Sequence, residues 1–288
     1  MYGPGVANFG LTVLVFTAIV FAVALVAGFL GSLTGLGGGI IITPVLTLFL
    51  GVDIRYAIGA SLVSVIATSS GSAAAYVRDG FSNIRVGMFL EVATTLGALL
   101  GAYLGAILPV TAISIIFGVI LLQAAWQASR GRKQEEGEVA TDPLSEKLSL
   151  SGEYKTPDGI VGYDVYGVKQ GFAIMLGAGT VSGLLGIGSG SLKVIAMDHY
   201  MRLPFKVSTA TSNFMIGVTA AASAGIYLSR GYIDPGITMP VMLGVLAGSM
   251  TGAKLLPRIK VKLLRVIFAI VVGLIAVQMI IKGVGGLR

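Results

Sequence analysis

Residues 27–48 read AGFLGSLTGLGGGIIITPVLTL, and residues 178–199 read AGTVSGLLGIGSGSLKVIAMDH. Each passes from an apolar stretch through a cluster of glycines into a second, shorter apolar stretch. The clusters are Gly35-Leu36-Gly37-Gly38-Gly39 and Gly186-Ile187-Gly188-Ser189-Gly190. Glycine at that density breaks a helix and bares backbone N–H groups. Inside hydrocarbon, such irregular backbone is tolerated only where protein or a water-filled cavity surrounds it. The two stretches lie 151 residues apart, and the same offset aligns the rest of the chain without a gap, which is the mark of a duplicated unit. Ser61 falls on Ser212, Tyr76 on Tyr227, Gly80 on Gly231, Gly97 and Gly101 on Gly248 and Gly252, and Phe117 on Phe268.

Outward from the glycines, composition names the solvent. Only 11% of the 288 residues are charged and 55% are apolar, whereas a soluble domain carries about 25% charged residues; the mean hydropathy is +0.91. The apolar residues fall into blocks close to the ~20 residues that a helix needs to cross ~30 Å of hydrocarbon. Five run Phe9 to Gly31, Leu36 to Gly51, Arg55 to Val77, Val86 to Leu108 and Val110 to Ala128. Five more run Val168 to Leu185, Ile187 to Met197, Val207 to Leu228, Gly236 to Leu256 and Lys262 to Ile281. The expected fold is an all-α, polytopic membrane protein of two five-segment repeats, 1–128 and 168–288. Each repeat would be a glycine-broken helical hairpin plus three transmembrane helices. The second block of each repeat is short, so a re-entrant hairpin and two full crossings both remain open. Between the repeats, 129–167 holds eight of the thirteen Asp and Glu residues and reads as a solvated linker.

Orientation follows from the basic residues. With the linker in the cytoplasm, only Arg55, Arg230, Lys282 and Arg288 of the 20 Lys and Arg fall outside, and Lys193 lies inside a block; the other fifteen are cytoplasmic, as positive-inside bias requires. An odd number of segments per repeat predicts that the two copies insert in opposite orientations. The expected location is the inner membrane. Met1 to Gly10 has no basic n-region, so no cleaved signal peptide is expected. The +7 net charge is scattered among loops and forms no nucleic-acid stripe. Without Cys there is no disulfide framework and no thiolate metal site. No His-Glu-x-x-His, paired intramembrane Asp or Ser-His arrangement points to an enzyme, and no cofactor is expected.

The candidate site is built around the broken helices. Two inverted copies would aim two helix N-termini, with their partial positive charge, at one central point, where an anion would sit. That singles out Gly37, Gly38, Gly39, Gly188, Ser189, Gly190 and Ser191. Lys193, three residues beyond Gly190, is a charge inside an apolar block, and a buried charge is a functional hypothesis by default; snorkelling to an interface is the alternative. The third segments are seeded with hydroxyls. There Ser61, Thr211, Ser212 and Asn213 would replace an anion's hydration without holding it too tightly, although a single serine commonly bonds its own backbone. Glu91 is the only carboxylate within a block, with proton coupling and interfacial solvation both open. The stripes Gly97, Gly101, Gly105 and Gly244, Gly248, Gly252 read as close helix packing. Tyr76 and Tyr227 read as an aromatic belt, and His199 as a surface residue.

At the Gly-x-Gly-x-Gly hairpins, the Ala60-Ser61 and Thr211-Ser212 third segments and the duplicated layout, the chain resembles the sulfite exporter TauE/SafE family of membrane proteins. The resemblance covers all but the linker, and Ser189 and Lys193 in the second copy depart from Gly38 and Ile42 in the first. It implies permeation of sulfite or of organosulfur anions such as sulfonates. The function expected is therefore a secondary transporter exporting such an anion by alternating access, with sulfonate uptake or an anion channel as alternatives. Its partners would be the lipid bilayer, a small anion and a proton as candidate coupling ion, with a homodimer as candidate assembly.

Overall fold

The computed structural model describes residues 13–34, 38–78, 82–129, 142–156, 159–255 and 261–285. Gly35, Gly37, Gly80, the first residues of the opening block, most of the acidic stretch before Asp142 and the turn after Leu255 lie outside these residues. The apolar blocks are helices. In the first half they are α1 (Val13–Thr34), α2 (Gly39–Leu48), α3 (Ile54–Arg78), α4 (Ile84–Ile107) and α5 (Val110–Ser129). A small unit follows, α6 (Pro143–Lys147), β1 (Gly152–Thr156) and β2 (Gly159–Tyr163). The second half holds α7 (Val168–Leu185), α8 (Gly190–Ile195) with a π-helical turn Ala196–Tyr200, α9 (Phe205–Ser229), α10 (Pro235–Leu255) and α11 (Val261–Gly285).

Local chemistry sets the ends. Asn83 accepts from the Val86 amide at 3.0 Å and caps α4. Asp234 accepts from Gly236 at 2.8 Å, with Pro235 as the first residue of α10. Length settles what the short segments do. Ten residues of α2 extend about 15 Å, and α8 with its π turn little more, roughly half the hydrocarbon thickness. Neither crosses. The α2 helix is buried along most of its length, and its far end is held by Lys282, whose Nζ donates to the Thr47 carbonyl at 2.8 Å, a cation at a helix C-terminus.

The outward faces are apolar. Leu14 is 78% exposed, Ile281 65% and Leu274 64%, an arrangement that water would penalise and lipid does not. Among the described residues, α1, α4 and α7 are each long and apolar enough to span a membrane.

Helices pair across the halves. The α1 helix packs on α10, α4 on α7, α5 on α11 and α3 on α9. At the first two seams, glycine brings backbone onto backbone. A Cβ on Gly97 would strike the Leu176 carbonyl, and one on Gly248 the Leu25 carbonyl. Gly101 meets Thr180 and Gly252 meets Phe29; Gly179 meets Thr94 and Gly28 meets Val245. Within every such pair of contacts, the 151-residue offset converts one into the other, so the halves exchange equivalent contacts.

The segment expected to be a solvated linker is folded over 142–156 and 159–167. Strands β1 and β2 pair antiparallel, Tyr154 opposite Val161. Leu150 and Val165 are buried in a cluster with Val86, Leu90, Met197, Leu203 and Val207 from α4, the π turn, the loop after it and α9. Asn83 Nδ2 donates to Leu150 O at 2.8 Å and to the Tyr163 hydroxyl at 2.9 Å, and Arg85 donates to Ser149 O at 3.1 Å. The Val168 and Leu144 amides donate to Asp142 and hold its carboxyl below the usual carboxylate range. The charge count pointed to solvation because these anchors are mostly backbone carbonyls, which carry no signature in composition.

Candidate functional site

The two glycine bends meet in space, and their backbones differ at the equivalent residues Gly38 and Ser189. Gly38 precedes α2 in a right-handed conformation, φ −67°, and its carbonyl accepts from the Ile41 and Ile42 amides. The second bend is left-handed at Gly186 (φ 67°), Gly188 (φ 72°) and Ser189 (φ 48°), a region that disfavours any residue with a Cβ. Ser61 Oγ donates to the Gly186 carbonyl at 2.7 Å. A Cβ on Gly39 would stand 2.5 Å from Ser61 Oγ and 3.0 Å from Gly186 O. Gly39 of the first bend and Gly186 of the second therefore enclose Ser61. Val65 lies against both Gly39 and Gly188.

Most of the predicted hydroxyls have backbone partners. Ser212 Oγ donates to Gly190 O at 3.3 Å, so it sits on the bend of its own half. Thr211 Oγ1 accepts from the Asn83 amide at 2.9 Å, away from the bends. Asn213 Nδ2 donates to Thr209 O at 3.0 Å, and the Asn213 carbonyl accepts from Ser69 at 2.6 Å. Ser189 Oγ is buried and has no hydrogen-bond partner among the described residues. Gly37 and the side chain of Ser191 lie outside the described residues.

Lys193 does not snorkel. It is fully buried, and its Nζ donates to Thr219 Oγ1 at 2.5 Å. Thr219 Oγ1 in turn lies 2.7 Å from Glu91 Oε1 and 2.9 Å from Met215 O. With one hydrogen to give, it donates to one of these at a time. Thr95 Oγ1 also donates to Glu91 Oε1, at 3.1 Å. Glu91 Oε2 is buried without a partner among the described residues. A lone buried charge is severely disfavoured, and a pair of opposite charges bridged by a hydroxyl is the physical remedy. The trio joins α8, α9 and α4, and so both halves.

Thr219 carries no prediction from sequence, and Glu91 carries an unresolved one. The signal for Thr219 was present: Ser208, Ser212, Thr219 and Ser223 recur at helical spacing, and all four are buried along α9. Tyr227 corrects the aromatic-belt expectation. It is buried, and its hydroxyl donates to Leu184 O at 3.2 Å beside Gly105. The Tyr76 side chain lies outside the described residues. His199 is exposed, with its ring edge-on to Tyr200.

With this geometry in place, likeness to known proteins can be weighed. Residues 20–279 match the family Sulfite exporter TauE/SafE. A probable membrane transporter protein of Bacillus subtilis, YunE, is 30% identical over 281 residues, covering 92% of this chain and 98% of that one. A probable membrane transporter protein of Xylella fastidiosa is 28% identical over 258 residues, 88% of this chain and 90% of its own. One from Methanocaldococcus jannaschii, MJ0441, is 24% identical over 284 residues, 91% and 95% of the two chains. No solved structure matches. Matched along nearly its whole length to transporters and to no enzyme, this multi-pass membrane protein belongs to the sulfite exporter TauE/SafE family.

Proposed function

We propose that the chain is a secondary transporter that exports sulfite or a related small organosulfur oxyanion across the inner membrane by alternating access. Its halves would insert in opposite orientations, with the folded 142–167 unit in the cytoplasm. The observation that carries this reading is the meeting of the two glycine bends at Ser61, with a fully buried lysine three residues beyond the second bend. The N-termini of α2 and of α8 with its π turn begin there, at Gly39 and Gly190, and each offers unpaired amides and a positive dipole end. Amides of Gly37, Gly38, Gly39, Gly188 and Gly190, hydroxyls of Ser61, Ser189, Ser191 and Ser212, the Asn213 amide and Lys193 are the proposed anion ligands; Thr211, whose hydroxyl accepts from the Asn83 amide, is not among them. An oxyanion fits such a set because every member donates and none holds it covalently. The sequence contains no phosphate-binding loop of the Gly-x4-Gly-Lys-Ser/Thr type, so gradients would drive the cycle, with a proton as the coupling ion. The family name supports sulfite as the first substrate to try.

The test is flux into and out of vesicles reconstituted with the purified protein, with sulfite, sulfate, thiosulfate and small sulfonates compared. Saturable flux of sulfite or a sulfonate with counter-transport supports the carrier. Non-saturating conductance without counter-transport makes it a channel, and no flux of any of these anions overturns the reading.

A further inference from the structure

Lys193 already has a carboxylate for company, and that fact constrains what can bind beside it. With Lys193 and Glu91 both ionised, the trio is neutral. An arriving monoanion would leave one uncompensated negative charge in a buried place, the arrangement that burial penalises most. Neutrality returns if one negative charge is removed as the other arrives. Glu91 can do this by taking a proton.

We propose that Glu91 is a tethered stand-in for the transported anion: a monovalent oxyanion replaces its carboxylate as the counter-ion of Lys193, and Glu91 takes up one proton from water as it does. The proposal rests on the anion-transport reading and specifies the charge of the cargo and its coupling. Three further features fit it. Glu91 Oε2 is buried and unpartnered, an open position for the proton. Thr219 has a second acceptor in Met215 O, so it can release Glu91 without leaving a buried donor unmade. Ser189 Oγ, a second buried orphan, lies one turn before Lys193, where it can donate to an incoming oxygen.

Among the described residues, the remaining charged groups on the packed elements stand at their ends: Arg55 and Arg78 at the two ends of α3, Arg85 at the start of α4, Lys169 at the start of α7, Lys206 and Arg230 at the two ends of α9, and Asp198 and His199 in the π turn. Lys193 is the charge that acts on Glu91. One carboxylate means one proton, so the loaded site is neutral only with a monoanion such as hydrogen sulfite or a sulfonate. Sulfate and thiosulfate would leave a charge in excess. Movement of one monoanion with one proton is electroneutral, so its direction follows the anion and pH gradients and not the membrane potential. Export then runs when the outward anion gradient exceeds the opposing pH gradient.

The experiment uses full-length protein in lipid nanodiscs and methanesulfonate, a monoanion at every pH of interest. In weakly buffered solution with a pH indicator, the wild type should take up about one proton per anion bound. Its affinity should fall about tenfold per pH unit wherever Glu91 is ionised when the site is empty. Glu91→Gln combined with Lys193→Arg, whose guanidinium keeps its proton, should bind without proton uptake and with a flat pH profile, and its vesicle flux should become sensitive to an imposed potential where the wild type's is not. Saturable wild-type binding without proton uptake, or undiminished uptake in this pair of substitutions, overturns the coupling and leaves the transport reading standing. Should that variant fail to fold, the wild-type proton count still decides. The double variant Lys193→Ile with Glu91→Met should fold and lose binding by at least about tenfold; wild-type binding by it would remove the trio from the site. No methanesulfonate binding by the wild type overturns the proposal, and only the wider flux panel then decides the transport reading.

Discussion

The same scaffold position is occupied twice in this molecule, with opposite chemistry. The 151-residue offset carries Lys193, Thr219 and Glu91 onto Ile42, Thr68 and Met242. Thr68 Oγ1 donates to Ser64 O at 2.8 Å, as Thr219 does to the equivalent Met215 O at 2.9 Å, and Ile42 is as buried as Lys193. The threonine hydrogen bond is shared and the charge is not. Packing at this position is therefore met by an apolar side chain, and the buried lysine and glutamate answer to something else. The bends differ in the same sense. Gly38, which could adopt a left-handed conformation freely, is right-handed, while Ser189 is left-handed and keeps a hydroxyl without a partner.

The largest effect should come from making the polar site resemble its mate halfway. Lys193→Ile alone strands Glu91, and breaking a buried pair typically costs about 3–5 kcal/mol; thermal unfolding in detergent should show a large drop together with loss of flux. Adding Glu91→Met completes the resemblance and should restore much of the stability but none of the flux. If the single variant were as stable as the wild type, the trio would not be an energetic unit and the contrast would fail.

Next in size is the contact between bends. Gly39→Ala drives a methyl against Ser61 Oγ and Gly186 O, and overpacking of this kind costs about 1–3 kcal/mol; flux should fall with it. Gly38→Ala is the control, because its nearest atoms, Val245 Cγ1 at 3.3 Å and Ala27 O at 3.4 Å, leave almost enough room. Its stability should stay within about 0.5 kcal/mol of the wild type. Equal effects from the two would mean that the bends do not need their close approach.

The smallest and most diagnostic change is Ser189→Gly. Relief of a left-handed residue should leave apparent stability unchanged or raise it by up to about 1 kcal/mol, while anion affinity falls. A gain of stability with undiminished affinity would make the serine's strain purposeless and remove its hydroxyl from the site.

Much of this was legible in the sequence. Apolar blocks gave the helices to within a few residues at their ends because hydrocarbon thickness and helix rise leave little freedom. The shortness of Ile187 to Met197 raised a re-entrant hairpin as one of two open possibilities. The stripes at Gly97 and Gly248 were readable as packing because their spacing permits little else. What could not be read was depth and partnership. Nothing local to Lys193 says that Thr219 and Glu91, the latter more than a hundred residues away in the other half, close around it. Asn83 carries no reading from sequence, yet its side chain joins the hairpin to the bundle through Leu150 O, an acceptor every residue possesses.

Gly97 lies on a carbonyl of the second half and Gly248 on a carbonyl of the first, so neither half can complete its own seam. A gene severed within codons 130–141 should yield two fragments that are unproductive when expressed singly and that reassemble when produced together, because the peptide between them supplies effective concentration and not the contacts themselves.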